Sequence, residues 1–187
     1  MNMTDELFED LKARMEKTLE SLGRDFKKLR TGRATPALLD NLKANYYGTP
    51  TPLTQMASIT APEARLLVIQ PWDASAISEI EKVILKSELG LTPQSDGKVI
   101  RINVPPLSQE RRKELSKMVK KNAEEAKVAI RAIRREANET LKEQKKSKEI
   151  SEDELAKAEV QVQKITDGYV EKVDKAAAAK DKEILEF

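Results

Sequence analysis

The chain has 187 residues, with 34 Lys and Arg against 32 Asp and Glu, so its formal net charge is only +2. It contains no cysteine and no histidine. These absences exclude disulfides, thiolate nucleophiles and cysteine-ligated zinc, and they remove the commonest general base and metal ligand. Charged residues make up 35% of the chain and aromatic residues 4%, a composition that favours long helices.

Signatures of catalysis and of membrane insertion are also missing from the sequence. We find no DxD-type cluster, no P-loop spacing and no GxSxG turn, so we expect no catalytic residue, metal site or cofactor, although carboxylate catalysis and oxygen-ligand metal sites remain formally possible. The first residues lack the basic and apolar regions of a signal peptide, and no stretch is apolar enough to cross a bilayer. We therefore expect a cytoplasmic protein that does not bind membranes.

The first predicted element is an amphipathic helix over residues 4–30, which ends at a Gly- and Pro-containing segment. Its apolar stripe comprises Leu7, Leu11, Met15, Leu19, Leu22, Phe26 and Leu29. Beyond it the composition shifts to Pro, Thr and β-branched residues. Strands are predicted at 66–69 and 99–104, with a helix carrying Ile77, Ile80 and Ile84 between them. This middle segment is predicted to be a small α/β unit.

Two further long helices are predicted after Pro106. The second helix begins at Ser108, and the third begins with a capping box from Ser151 to Glu154. The apolar stripe of the second helix comprises Leu115, Val119, Ala126, Ile130, Ile133, Ala137 and Leu141. That of the third runs through Leu155, Ala158, Val162, Ile165, Tyr169, Val173, Ala176, Lys180 and Ile184. No long helix buries its stripe alone, so the three are expected to pack together.

The order of the elements predicts two domains. The α/β unit, 31–106, is inserted into a three-helix bundle made of 1–30 and 107–187. The chain would cross between them twice, at segments rich in turn-forming residues that could act as a hinge or merely as linkers. The candidate hinge residues are Arg30, Thr31, Gly32, Arg33, Val104, Pro105 and Pro106.

Positive charge is concentrated on the second long helix. Residues 106–149 hold 14 basic and 8 acidic residues, whereas 150–187 hold 6 and 10. Lys127, Arg131, Arg134 and Asn138 share one helical face, with Arg135 one turn beyond Arg131. Such a face could bind phosphates, or it could be a solvated surface that pairs with the acidic third helix. The lysines between 142 and 148 extend the basic run.

The aromatic residues are too scattered along the sequence to predict the repeated stacking platform of a single-strand RNA reader. Trp72, Tyr46, Tyr47 and Tyr169 are scattered along the chain. We expect Tyr46 and Trp72 to be packing residues of the small domain.

Four sequence runs resemble the ribosome recycling factors of bacteria and organelles. They are LRTGRA at 29–34, VPPLSQERR at 104–112, IRAIRREAN at 130–138 and KEISEDE at 148–154. The resemblance spans essentially the whole chain. It implies an α+β fold in which an elongated antiparallel three-helix bundle and a small β/α/β domain form an L whose outline resembles transfer RNA.

The same resemblance implies a function and a set of partners. Such factors bind the large ribosomal subunit and its rRNA after termination and split the ribosome with elongation factor G, which uses the GTP. Initiation factor three then keeps the subunits apart. The family's rRNA-contacting arginines correspond to Arg131 and Arg134, with Arg112, Arg135 and Asn138 as neighbouring candidates. We expect a monomer, because three helices can close a core among themselves.

Two other functions remain compatible with the residues alone. A helical protein-protein adaptor would use the long helices without RNA contact. A metal-dependent carboxylate enzyme rests only on the abundance of Asp and Glu.

Overall fold

The computed structural model describes residues 3–186, which divide into two units. One takes in the chain up to Leu29 together with Glu110–Leu185, and the other is Arg30–Gln109. The elements in chain order are α1 (Met3–Lys28), β1 (Lys43–Tyr46), β2 (Thr49–Pro52), α2 (Leu53–Met56), β3 (Ala57–Glu63), β4 (Leu66–Pro71), α3 (Ile77–Lys86), β5 (Pro93–Ser95), β6 (Ile100–Asn103), α4 (Gln109–Lys146) and α5 (Glu152–Glu186). The α+β class is confirmed.

Helices α1, α4 and α5 form the first unit because each buries one apolar stripe against the others. On α4 the predicted stripe is buried from Leu115 to Leu141, joined by Ala123. Arg112, near the start of α4, contacts Leu185 near the end of α5, whereas Arg134, further along α4, contacts Gln163 in the first half of α5. The two helices are therefore antiparallel. Among residues 3–186, no helix has the length and apolarity needed to cross a membrane.

The stripe of α5 differs from its prediction near the middle of the helix. Thr166 is buried, whereas Ile165 and Tyr169 are only partly buried. The Thr166 hydroxyl donates to the carbonyl of Val162 at 2.8 Å, so its polar group is satisfied within the helix. A pattern built on apolar residues missed this position because threonine can enter a core once its hydroxyl is bonded.

A Schellman motif ends α4 and leads into α5. The N–H of Glu149 donates to the carbonyl of Gln144 at 2.9 Å, and that of Lys148 donates to Lys145 at 3.0 Å. Lys148 adopts a φ of 62°, in the left-handed region where glycine is usual. The predicted capping box follows and is confirmed: Ser151 N–H donates to Glu154 Oε2 at 2.7 Å, and Glu154 N–H donates to Ser151 Oγ at 3.2 Å.

The second unit has more strands than the sequence predicted. A four-stranded antiparallel sheet has the order β3-β4-β6-β5, and β1 pairs with β2 in a separate hairpin. The predicted strands became β4 and β6, and the predicted helix became α3. Ile80 and Ile84 on α3 are fully buried in the core of this unit.

The β1–β2 hairpin lies where the sequence predicted only a turn-rich link. Tyr46 pairs with Thr49, and the two loop residues Tyr47 and Gly48 both have positive φ, 48° and 80°. This is the conformation of a type I′ hairpin turn, which matches the twist of the flanking strands. Prolines at 50 and 52 concealed β2, since proline is tolerated only at edges such as this one.

Candidate nucleic-acid interface

The residues of the predicted basic face of α4 differ in their surroundings: Lys127 contacts α5, and the others are partly exposed on the surface. Lys127 Nζ donates to Asp174 Oδ1 on α5 at 2.9 Å and lies 3.5 Å from Glu124. The hydrogen bond to Asp174 raises the pKa of Lys127 above its usual 10.5, and partial burial opposes that rise. Lys127 thus joins α4 to α5, as the solvated-face alternative anticipated for this stripe.

Arg131 and Arg134 each make one bond along the bundle surface. Arg131 Nη1 donates to Glu124 Oε1 at 3.2 Å, and Arg134 Nη1 donates to Gln163 Oε1 at 3.2 Å. Both residues are partly exposed. A guanidinium has five N–H donors in a planar fork, so each of these contacts holds the side chain in place while leaving donors for a phosphate.

Arg135 and Asn138 complete the local group on α4. Arg135 is exposed and makes no hydrogen bond or ion pair with any described residue. Asn138 is partly exposed, and its Oδ1 is buried without a hydrogen-bond donor among residues 3–186. Four of the five candidates, Arg131 to Asn138, therefore lie within two turns of one helix.

The fifth candidate, Arg112, lies apart from this group. It is 19 residues before Arg131 on α4, a separation of about 28 Å along the helix axis. Its Nη1 donates to the carbonyl of Leu185 at 3.3 Å, and its Nε is buried. A cation at the C-terminal end of α5 compensates the partial negative charge of the unpaired carbonyls there.

The lysines at the α4–α5 turn are mostly exposed. Lys145 forms an ion pair with Glu152, at the start of α5. Lys142, Lys146 and Lys148 are exposed. This tip therefore presents positive charge to solvent on the connection between the two helices.

Both crossings between the units lack helix or strand over several residues. In the first, the Arg33 N–H donates to the carbonyl of Thr31 across Gly32, whose φ is 28°. Ala34 N–H donates to the carbonyl of Ala64 at 2.7 Å. In the second, Val104 N–H donates to the carbonyl of Arg65 at 2.8 Å. The β3–β4 turn thus holds one end of each crossing.

Comparison with known proteins places the whole pattern in one family. The family model described as ribosome recycling factor matches residues 22–185. The chain belongs to the ribosome recycling factor family. The resemblance inferred from the four sequence runs is therefore confirmed. Recycling factors are non-enzymatic translation factors and use no cofactor of their own.

Similarity to individual recycling factors extends over nearly the full chain. The factor of Syntrophobacter fumaroxidans is 59% identical over 185 residues, which cover 99% of this chain and 100% of that protein. The factor of Halalkalibacterium halodurans is 57% identical, with 98% and 100% covered. A solution structure of a ribosome recycling factor matches all of both chains with 40% identity and a TM-score of 0.72.

A second solved structure is described as the T. thermophilus ribosome recycling factor and E. coli elongation factor G bound to the E. coli post-termination complex. Its recycling factor is 49% identical to this chain, covers 99% of it and matches with a TM-score of 0.63.

Of the two aromatic residues predicted to pack in the small unit of this recycling factor, Tyr46 packs against its core and Trp72 does not. Trp72 is 70% exposed and Tyr47 is 82% exposed, so Trp72 is not a packing residue. The available signal for the exposure of Tyr47 was the Tyr-Gly pair at 47–48, because glycine at the second position is typical of a two-residue hairpin turn, whose residues lie at an exposed tip. No group of three or more potential metal ligands occurs in the described part of the chain.

Proposed function

We propose that this protein binds the post-termination ribosome and, with elongation factor G and GTP, splits it into subunits in the cytoplasm. The observation that carries the proposal is its similarity, over 99% of the chain, to the recycling factor described in complex with elongation factor G and the post-termination ribosome. In the same scheme, initiation factor three keeps the separated subunits apart.

The rRNA contact is assigned to the outer part of α4. Arg131, Arg134 and Arg135 present guanidinium groups within about one turn, and the single bonds of Arg131 and Arg134 orient them on the bundle surface. Asn138, whose amide N–H₂ lies one turn beyond Arg134, adds a further donor. Arg112 is a weaker candidate because its Nε is buried and because it lies about 28 Å along the helix from Arg131. The tip lysines Lys142 to Lys148 could extend this surface.

The domain boundaries near residues 30 and 106 and the hinge remain part of the proposal. Ala34 and Val104 are bonded to adjacent residues of the β3–β4 turn. These bonds would attach one end of each crossing to the small unit, so that both ends move with it. Rotation would then occur in Arg30–Arg33 and around Pro105 and Pro106. A cross-link that joins the two units should preserve ribosome binding and abolish splitting; splitting by a fully cross-linked protein would contradict the hinge.

A monomer is the proposed state in solution. Helices α1, α4 and α5 bury their stripes on one another, with Met15, Leu115 and Ile130 at most 1% exposed, so the bundle needs no second chain to complete its core.

Light scattering of post-termination ribosomes tests the function and the arginine assignment together. With elongation factor G, GTP and initiation factor three present, the wild-type protein should lower the scattering. Arg134→Ala should reduce the rate several-fold. The control is Arg24→Ala, which removes an exposed arginine from α1 in the same unit and should leave the rate unchanged.

The possible outcomes separate the proposals. No scattering change with folded protein and active partners would contradict the recycling function and favour the adaptor. Splitting that is equally fast in wild type, Arg134→Ala and Arg24→Ala would keep the function and remove the rRNA contact of Arg134.

A further inference from the structure

The small unit contains a basic cleft between the β1–β2 hairpin and α3. It has a volume of about 330 Å³, and its charged walls include Lys43, Lys82, Lys86 and Glu79. Glu79 is paired with Lys82 at 3.0 Å, so it neutralises one lysine. Lys43 and Lys86 are exposed and form no ion pair with any residue from 3 to 186. The cleft therefore carries a net positive charge.

An exposed tyrosine adjoins this cleft. Gly48 lines the cleft, and Tyr47, which immediately precedes it, is 82% exposed. Its ring is nevertheless fixed in position: it contacts the ring of Tyr46 edge-on, with 4.6 Å between centroids, and its hydroxyl donates to Asp73 Oδ2 at 3.2 Å. The type I′ turn also constrains its backbone. A rigid, solvent-facing ring loses little conformational entropy when a planar ligand stacks on it.

A second exposed aromatic residue directly precedes Asp73 in the chain. Trp72 precedes Asp73, is 70% exposed, and has its backbone N–H bonded to the carbonyl of Met56 at 3.1 Å. Asp73 accepts hydrogen bonds from Tyr46, Tyr47 and Ser75. These bonds fix the two tyrosine rings and hold the pKa of Asp73 below its usual 3.8, so the carboxylate stays ionised and offsets part of the positive charge of the lysines.

We propose that this cleft, together with the exposed rings of Tyr47 and Trp72, binds single-stranded RNA. A phosphate would lie between Lys43 and Lys86, and bases would stack on Tyr47 and Trp72. Positive grooves beside exposed aromatic rings are the usual combination for binding single strands, because phosphates supply the charge and every base has a π-face. An acidic peptide would use the lysines but leave both rings without a planar partner. The site belongs to the small unit and does not depend on the arginines of α4.

Trp72 supplies a local probe, because it is the only tryptophan in the chain. An octauridylate titrated into the full-length protein at low salt should quench Trp72 fluorescence saturably. Binding on α4 alone would leave this signal unchanged, since it places no base on Trp72. The affinity should fall steeply as salt is added, because each phosphate contact releases counterions.

Two variants test the two halves of the site. Lys43→Gln with Lys86→Gln should weaken binding on the order of ten-fold. Tyr47→Asn should weaken it by a similar factor while preserving the hairpin, because Asn-Gly is the preferred type I′ sequence. The control, Arg65→Gln with Lys98→Gln, removes two exposed positive charges from the same unit outside the cleft and should change the affinity less than two-fold.

Three results would overturn the proposal. One is the absence of quenching at low salt. Another is equal weakening in the cleft variant and the charge-matched control, which would indicate non-specific attraction. The third is displacement of the bound octauridylate by an octaglutamate peptide at a concentration comparable to that of the RNA, which would make the cleft an acidic-peptide site. Each result is independent of ribosome splitting, because no ribosome is present.

Discussion

Lys127 on α4 donates to Asp174 on α5 across 2.9 Å, although Lys127 belongs to the same helical face as Arg131 and Arg134. Only 21% of its side chain is exposed, compared with 40% for Arg131. The face therefore has two parts. Lys127 stabilises the packing of α4 on α5, and the arginines nearer the α4–α5 turn remain accessible to a ligand.

Asp174→Asn should destabilise the bundle because it removes the charge that faces Lys127. We expect a loss of about 0.5–1 kcal/mol in the free energy of unfolding, measured by urea denaturation. The raised pKa of Lys127 means that its contribution is complete below pH 10.5 and is lost as pH rises through the higher folded-state value. The difference between wild type and variant should therefore shrink in strong alkali.

The control for Asp174→Asn is Glu171→Gln, which breaks an exposed pair with Lys175 within α5. It should shift the urea midpoint less, since solvent screens that pair more effectively. Equal shifts in the two variants would mean that the Lys127 contact has no special role in packing.

Substitutions of Arg112 and Arg135 should distinguish a residue that stabilises the bundle from one that contacts the ribosome. Arg112→Ala removes the donor at the carbonyl of Leu185 and the packed stem of the side chain, so it should lower the unfolding free energy by about 1 kcal/mol. Arg135→Ala should leave stability unchanged because the side chain is exposed. Thermal melts measure the change in stability, and ribosome-binding assays measure the change in affinity for the ribosome. An Arg112 variant with normal stability and weak ribosome binding would return Arg112 to the interface.

Lys148→Gly should stabilise the protein. Lys148 holds a left-handed conformation with φ 62°, which costs a residue with a Cβ about 1 kcal/mol and costs glycine almost nothing. Lys142→Gly removes a similar charge inside α4, where glycine should reduce stability by about 1 kcal/mol. Urea midpoints that move in opposite directions are the expected result. A fall in both variants would show that the Lys148 side chain stabilises the turn.

The capping box of α5 should make stability depend on acid pH. The backbone N–H of Ser151 holds the pKa of Glu154 below its usual 4.5. A lowered carboxyl pKa contributes stability that is present above pH 4.5 and is lost as pH falls through the folded-state value. Glu154→Gln should remove this part of the acid dependence, as measured by melting temperature between pH 3 and 6.

Asp153→Asn is the matched control for the capping box. It neutralises a carboxylate in the same first turn but leaves the Ser151 and Glu154 bonds intact. It should preserve more of the acid dependence than Glu154→Gln does. Ser151→Ala, which removes the other half of the box, should cost about 1 kcal/mol near neutral pH.

Sequence patterns predicted the long helices well because apolar residues recurred every three or four positions over many turns. The stripe of α4 and the capping box at Ser151 needed no tertiary information. The strands were harder. β5 has three residues and β2 contains two prolines, so neither shows the alternation that marks a strand, and both exist because they pair with β6 and β1.

The candidate site shows the same division. Helical spacing alone placed Arg131, Arg134 and Asn138 on one face of α4. It could not distinguish Lys127, which is paired with α5, from Arg135, which is exposed, because that difference depends on where α5 lies. It also could not assign Arg112 to the end of α5, since the two residues in contact are 73 positions apart.

The sequence by itself determined the family and the three long helices, because these depend on local motifs and on periodicity within single segments. Only the tertiary structure decided which basic side chains are used in packing, that Thr166 is buried, and that Tyr47 and Trp72 are exposed to solvent. Those features depend on contacts between distant segments, and the free energy of such contacts is set by burial and geometry that one segment does not contain.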